Sequence, residues 1–120
     1  MQPEVQNIVE LVKQRAARFG NTELNSKHEF KFQLVAGDFL IFVNSVQNSG
    51  PVRMSVGVGW SVKRQTRDWE EGHREVQSHR FAFVDGAWID IVSEVPWSDD
   101  DIADWAVNEL QDWIRTDGKQ

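Results

Sequence analysis

The stretch Val52-Arg53-Met54-Ser55-Val56-Gly57-Val58-Gly59-Trp60-Ser61-Val62 decides the fold. Its even positions are all large and apolar, and its odd positions are arginine, serine and glycine, a period of two that a strand converts into two unlike faces. One face is suited to a core. The other is almost without side chains, which permits close approach by a ligand, a peptide backbone or a neighbouring element, and packing within the chain is the expected use.

The period continues on both sides of this strand. Upstream, Gly37-Asp38 reads as a two-residue hairpin loop that sets Ala36 opposite Phe39, Leu34 opposite Ile41 and Phe32 opposite Val43. With Phe30 these residues form one apolar face, whereas Lys31, Gln33, Leu40, Phe42 and Asn44 give the other a mixed character typical of a partly covered surface. Asn48-Ser49-Gly50-Pro51 then turns the chain into the quoted strand. Downstream, Val76–Val84 and Ala87–Val92 form a second hairpin through Asp85-Gly86, the signature of a type I′ turn. Phe83 opposite Trp88, Phe81 opposite Asp90 and His79 opposite Val92 share one side of it. Ala82, Val84, Ala87, Ile89 and Ile91 share the other, an aliphatic side expected to receive a helix.

Two helices are expected at the ends. Val5, Ile8, Val9, Val12, Ala16 and Phe19 recur at three and four, with Pro3 suited to the first turn and Gly20-Asn21 to the stop. Ser98-x-x-Asp101 resembles a capping box with a shorter acid, and it opens a helix carrying Ile102, Trp105, Ala106, Leu110, Trp113 and Ile114 at helical spacing. Trp105 and Trp113 fall on one stripe of it, expected to be buried. The fold class is therefore α+β: an antiparallel sheet of about five strands flanked by N-terminal and C-terminal helices, in the order α-β-β-β-β-β-α. With 120 residues the chain is one domain over 1–120, large enough to bury a core without staples. It has no cysteine, so packing alone must hold it. No window is long and apolar enough for a membrane span, and Met1-Gln2-Pro3-Glu4 lacks the regions of a signal peptide, so the cytoplasm is the expected address.

Charge is distributed unevenly. From Glu94 onward eight acidic residues face two basic ones, while the preceding chain holds eleven of each, so the whole net charge of −6 belongs to the C-terminal element. That argues against nucleic acid there and for a basic partner surface or for solubility. Asp99, Asp100 and Asp101 directly follow Ser98, where carboxylates face the positive end of a helix dipole, so capping is the first use of that triplet. Between Lys63 and Glu75 the alternation stops among mixed charges, and Trp69 stands in this segment either as a tack onto the core or as an exposed contact anchor.

Catalytic motifs are few. The sequence has no phosphate-cradling loop, nucleophile elbow, dinucleotide fingerprint or histidine pair at metal spacing, and no cofactor or metal site is assigned. His79 with Asp90 is the one constellation, since a carboxylate beside an imidazole orients it and raises its basicity. Six tryptophans and no tyrosine point instead to recognition, indole being enriched at protein contacts. Trp88 and Trp97 are expected to be exposed and, with Phe42 and the bare strand face Ser55-Gly57-Gly59-Ser61, to make an uncovered recognition surface.

A small acidic α-β-α chain with aromatic anchors resembles in format many bacterial or phage-borne inhibitors, immunity proteins, anti-defence proteins and small secretion chaperones. The expected function is non-enzymatic protein binding by an inhibitor that occludes a basic partner. Asp104, Glu109 and Asp112 would steer that partner, and Trp69, Trp88 or Trp97 would supply contact area. An alternative is a small-ligand binder or enzyme on an aromatic face of Phe42, His79, Phe81, Phe83 and Asp90. A second alternative is a symmetric homo-oligomer, at its simplest a homodimer, such as a phage assembly component. Nucleic acid and membrane are not expected partners.

Overall fold

In the computed structural model, the alternation around residue 56 sorts the molecule into two layers: a single antiparallel sheet and a pair of helices packed on one of its faces. The structure describes residues 2–20, 22–24, 30–46, 49–61 and 76–116.

Helix α1 (Pro3–Ala16) has its proline at the first turn and continues into one 3₁₀ turn (Ala17–Phe19). Gly20 stops it with a left-handed φ of 60° and an N–H donated to the Ala17 carbonyl at 3.1 Å. The strands follow as β1 (Thr22–Leu24), β2 (Lys31–Ala36), β3 (Phe39–Val46), β4 (Arg53–Trp60), β5 (Gln77–Val84), β6 (Ala87–Asp90) and β7 (Pro96–Trp97). Helix α2 (Asp99–Thr116) ends the described chain. Spatial order equals sequence order across the seven described strands, so each pairs with its predecessor and no crossover occurs. The N-terminal helix, antiparallel sheet and C-terminal helix are those expected from the sequence, with two very short edge strands, β1 and β7, added. No helix among the described residues is long and apolar enough to cross a membrane.

Both expected hairpins have the expected register: Ala36 lies opposite Phe39, Leu34 opposite Ile41, Phe32 opposite Val43, Phe81 opposite Asp90 and Phe83 opposite Trp88. At the second turn Asp85 and Gly86 have φ of 51° and 79°, the two positive values that a type I′ loop demands. The pairing of His79 with Val92 is not formed. Strand β6 ends at Asp90, the chain turns over residues 91–93, and His79 lies opposite Val56 of β4.

One sheet face carries Phe32, Leu34, Ile41, Val43, Met54, Val56, Val58, Trp60, Phe81 and Trp88, all joined in one cluster with the helices. Into it α1 inserts Val5, Ile8, Val9 and Val12, and α2 inserts Ile102, Ala106, Leu110 and Trp113. The aromatic rings of Phe39, Trp60 and Trp113 meet at centroid distances of 5.2 to 5.6 Å and tilted to edge-on angles. Trp113 is buried as expected, whereas Trp105 is only partly so.

The second hairpin is turned over relative to expectation. Its aromatic side, not its aliphatic side, faces the helices, because Met54 pairs with Phe81 and thereby commits every alternate residue of β5 and β6 to the core face. Trp88 is therefore only 1% exposed and is no contact anchor. Phe42 and the glycines lie on the opposite face from Trp88 and Trp97, so the single recognition surface combining them does not exist.

The bare face of β4 is used inside the chain, as expected. A Cβ on Gly57 would sit 2.6 Å from the Gln77 carbonyl and closer still to Cζ of Phe42, so the ring lies directly on the backbone there. At Gly59 the nearest atom would be Cγ2 of Val76 at 3.2 Å. Gly57→Ala is expected to cost about 2 kcal/mol or more in urea unfolding, because backbone oxygen cannot yield, and Gly59→Ala distinctly less, because a valine rotamer can. Equal costs would contradict this packing.

Candidate functional site

The His79–Asp90 pair forms as the sequence suggested, and the local chain shows why. Asp90 ends β6, where its buried carboxylate stands in for the ladder that stops there. Oδ1 accepts the N–H groups of Val92 at 2.9 Å and Ser93 at 3.0 Å, closing an Asx-type turn. The main chain of Asp90 closes the same loop at both ends, its carbonyl accepting from Glu94 N at 2.8 Å and its N–H donating to the Val95 carbonyl at 3.0 Å. Glu94 takes a left-handed φ of 61° in this loop, a conformation costly for a residue with a Cβ.

Oδ2 is left for His79, whose Nδ1 lies 2.9 Å away. Burial pushes the Asp90 carboxyl upward and is the largest single influence. The N–H donors of Ser93 and Val92 and the hydrogen bond and charge of His79 together outweigh it, so the group titrates below its ordinary 3.8. An ionised Asp90 takes the Nδ1 proton of His79 as a hydrogen bond, so that whenever the ring is neutral its lone pair is on Nε2. That atom makes no hydrogen bond among the described residues.

The imidazole is held by aromatic neighbours. Trp97 lies 4.9 Å from its centroid, Trp105 meets it edge-on at 4.6 Å, and Phe81 stands at 6.1 Å. The His79 side chain remains 34% exposed at the edge of an open depression of ≈ 530 Å³, lined by Ser78, His79, Asp90, Val92, Ser93, Val95 and Trp97. Among the described residues, four of the seven exposed large apolar residues, Val84, Ile91, Val92 and Val95, lie between the last residue of β5 and the start of β7. Val92 is the most exposed of them at 80%.

Of the residues expected to form an aromatic ligand face, His79, Phe81, Phe83 and Asp90 are brought together, while Phe42 is on the other side of the sheet. Phe81 is fully buried behind His79 and has no surface for a ligand. Trp97 is half-buried at the depression, and Trp69 lies outside the described residues with the rest of the Lys63–Glu75 segment.

The acids expected to steer a partner already have partners in the chain. Asp104 Oδ1 accepts from Arg15 of α1 at 2.8 Å, Glu109 Oε1 accepts the indole N–H of Trp113 at 3.0 Å, and Asp112 pairs with Arg115 at 3.4 Å. Arg15 also binds the Asp100 carboxylate and carbonyl, tying the two helices together. Ser98 caps α2 as expected, its Oγ accepting from Asp101 N at 3.0 Å. Glu94, Asp99 and Asp101 form no ion pair among the described residues, and they flank Trp97 in the chain. Asp99 titrates above its ordinary 3.8, through burial first and the Asp100 charge second. Sequence reading missed the turn residues Val92, Glu94 and Val95 because Ile91-Val92 continues the apolar run of β6. The available signal was Asp90 itself, an Asx-turn former at a strand end.

Compared with protein-family models, curated proteins and solved structures, the chain matches none.

Because the folded Asp90 titrates lower than the unfolded one, its stabilisation is complete above the unfolded value near 3.8 and fades as pH falls through the folded value. Asp90→Asn is expected to lower stability at pH 7 by about 1–3 kcal/mol. Its deficit relative to the parent should shrink only below about pH 4. A deficit constant from pH 7 to pH 2 in denaturant titrations would refute the ionised, multiply bonded carboxylate.

Proposed function

We propose that this chain is a non-enzymatic, acidic protein-binding module of the inhibitor, immunity or anti-defence kind, which acts by covering a basic surface of another protein. The observation that carries this reading is the exposed aliphatic loop Ile91–Val95 beside half-buried Trp97, with the carboxylates of Glu94, Asp99 and Asp101 close by in the chain and in no ion pair among the described residues. An apolar patch with a charged rim is the usual anatomy of a contact surface: the centre is desolvated and the rim selects and steers. The same loop is tied at both ends by Asp90, so little conformational entropy is lost when it is covered.

Contact therefore centres on the turn between β6 and β7 and not on Trp88, and steering falls to the carboxylates around Trp97 more than to Asp104, Glu109 and Asp112. The free Nε2 of His79 also suits general-base chemistry, the enzyme alternative. Among the described residues no nucleophile is hydrogen-bonded to it, and the depression is open to solvent, which favours binding over catalysis.

Affinity capture with the parent and with Val92→Asp tests this. Val92 is so exposed that the substitution should leave the circular dichroism and melting temperature within error. The parent is expected to retain a basic protein in defined stoichiometry, released by raising salt, and Val92→Asp and Asp101→Asn to retain at least about tenfold less at equal loading. Salt-independent capture would remove the steering, and undiminished capture by Val92→Asp would remove the docking surface.

A further inference from the structure

We propose that the depression at His79 is a receptor for one cationic side chain, a lysine ammonium or an arginine guanidinium, presented by the basic partner. This deepens the protein-binding reading and rests on it.

Three observations converge on a cation. First, Nε2 of His79 is directed by its own hydrogen bond: with Nδ1 held 2.9 Å from buried Asp90, the neutral ring offers only a lone pair at the surface, so the complementary group must be a donor. Second, with the ring neutral the imidazole–carboxylate pair carries the single negative charge of Asp90, the carboxylate that lines the depression. The cation adjacent in sequence, Arg80, is on the other sheet face, since it pairs with Ser55 while His79 pairs with Val56. Third, Trp97 and Trp105 hold the ring at 4.9 and 4.6 Å, and Trp97 also lines the depression. An indole lining such a hollow favours a cation over an anion.

The competing occupants fit less well. An anion would meet the Asp90 carboxylate and a lone pair. A purely aliphatic group would fill space beside Val92 and Val95 but strand Nε2 without a donor, at the cost of a buried unpaired acceptor. A lysine or arginine satisfies all the surfaces at once, its methylene stem on Val92 and Val95 and its charged end at Nε2 and Trp97. Asp90 is then a positioning residue: it fixes which nitrogen of His79 faces the partner. Since Oδ1 is committed to two backbone N–H groups, Asp90→Asn would turn its amide N–H toward Nδ1 and force the ring proton onto Nε2, converting acceptor to donor.

The test uses the whole chain and short blocked peptides whose one variable residue is arginine, lysine, glutamine or glutamate. Ring nitrogens of His79 are followed by long-range ¹H–¹⁵N correlation at about pH 8. Saturable movement of Nε2 is expected with arginine and lysine, with apparent affinity about tenfold or more above the glutamine peptide. Asp90→Asn should move the ring proton to Nε2 and abolish the response. Should Asp90→Asn lose its native amide dispersion, Trp97→Phe serves instead, and is expected to weaken the arginine response severalfold while leaving the tautomer unchanged. Equal movement with glutamine or glutamate, or none with any peptide, overturns the receptor. If the peptides fail while Val92→Asp still loses capture of a basic protein, the receptor falls and the docking surface stands. If the peptides bind and capture is indifferent to Val92→Asp, the protein-binding reading falls and the cation site stands alone.

Discussion

Burial of Met54, Val56, Val58 and Trp60 on one side of β4 is the constraint from which the rest of the structure follows. A strand gives its neighbours no freedom over which face they present, because side chains directly opposite share a side. Val43 must follow Val56, Ile41 must follow Val58, and Phe81 must follow Met54. From Phe81 the commitment passes to Asp90, and from Phe83 to Trp88 and on to Trp97. The candidate site is thus placed by the core: His79 and Asp90 lie on the helix side, at the edge where α2 leaves the sheet only partly covered. Their position needs no separate explanation.

The same propagation explains what the sequence made legible. Hairpin registers were readable because Gly37-Asp38 and Asp85-Gly86 are local signals, and the His79–Asp90 contact followed from the second of them as a diagonal across two strands. Which side of that hairpin faced the helices was not readable, since both sides are apolar, one aromatic and one aliphatic. The choice is made by the pairing of β4 with β5, whose connecting segment carries no turn signal. Expecting aliphatic residues to pack under helices was reasonable in isolation, and tertiary pairing overrode it. The strands β1 and β7 escaped notice for a simpler reason: two or three residues show no period.

Charge was legible in total and not in detail. The excess of acid in the C-terminal element is plain from composition, yet which carboxylates remain available depends on Arg15, separated by 85 residues from Asp100 and by 89 from Asp104. That guanidinium, 29% exposed, takes the acids on the first turns of α2 that point at α1. Glu94, Asp99 and Asp101 form no ion pair among the described residues. Surface ion pairs of this kind contribute little to stability, so their consequence here is selection: they decide where negative charge stays uncompensated.

Asp90 joins the closing of a turn and the orientation of His79 in one side chain. The carboxylate that closes the turn of Val92 and Ser93 through Oδ1 is the same one that sets the tautomer of His79 through Oδ2, so the loop offering apolar contact and the ring offering a lone pair are ordered by a single group. A charged group buried this deeply is costly unless fully bonded, and here each oxygen has its donors. A carboxylate needed only to end a strand would be satisfied by the backbone alone. Spending its second oxygen on a side chain that is still open to solvent adds little to the core, since His79 could be hydrated instead. What that bond achieves is to orient the ring, with Nδ1 held at Asp90 and Nε2 left on the other side of the imidazole.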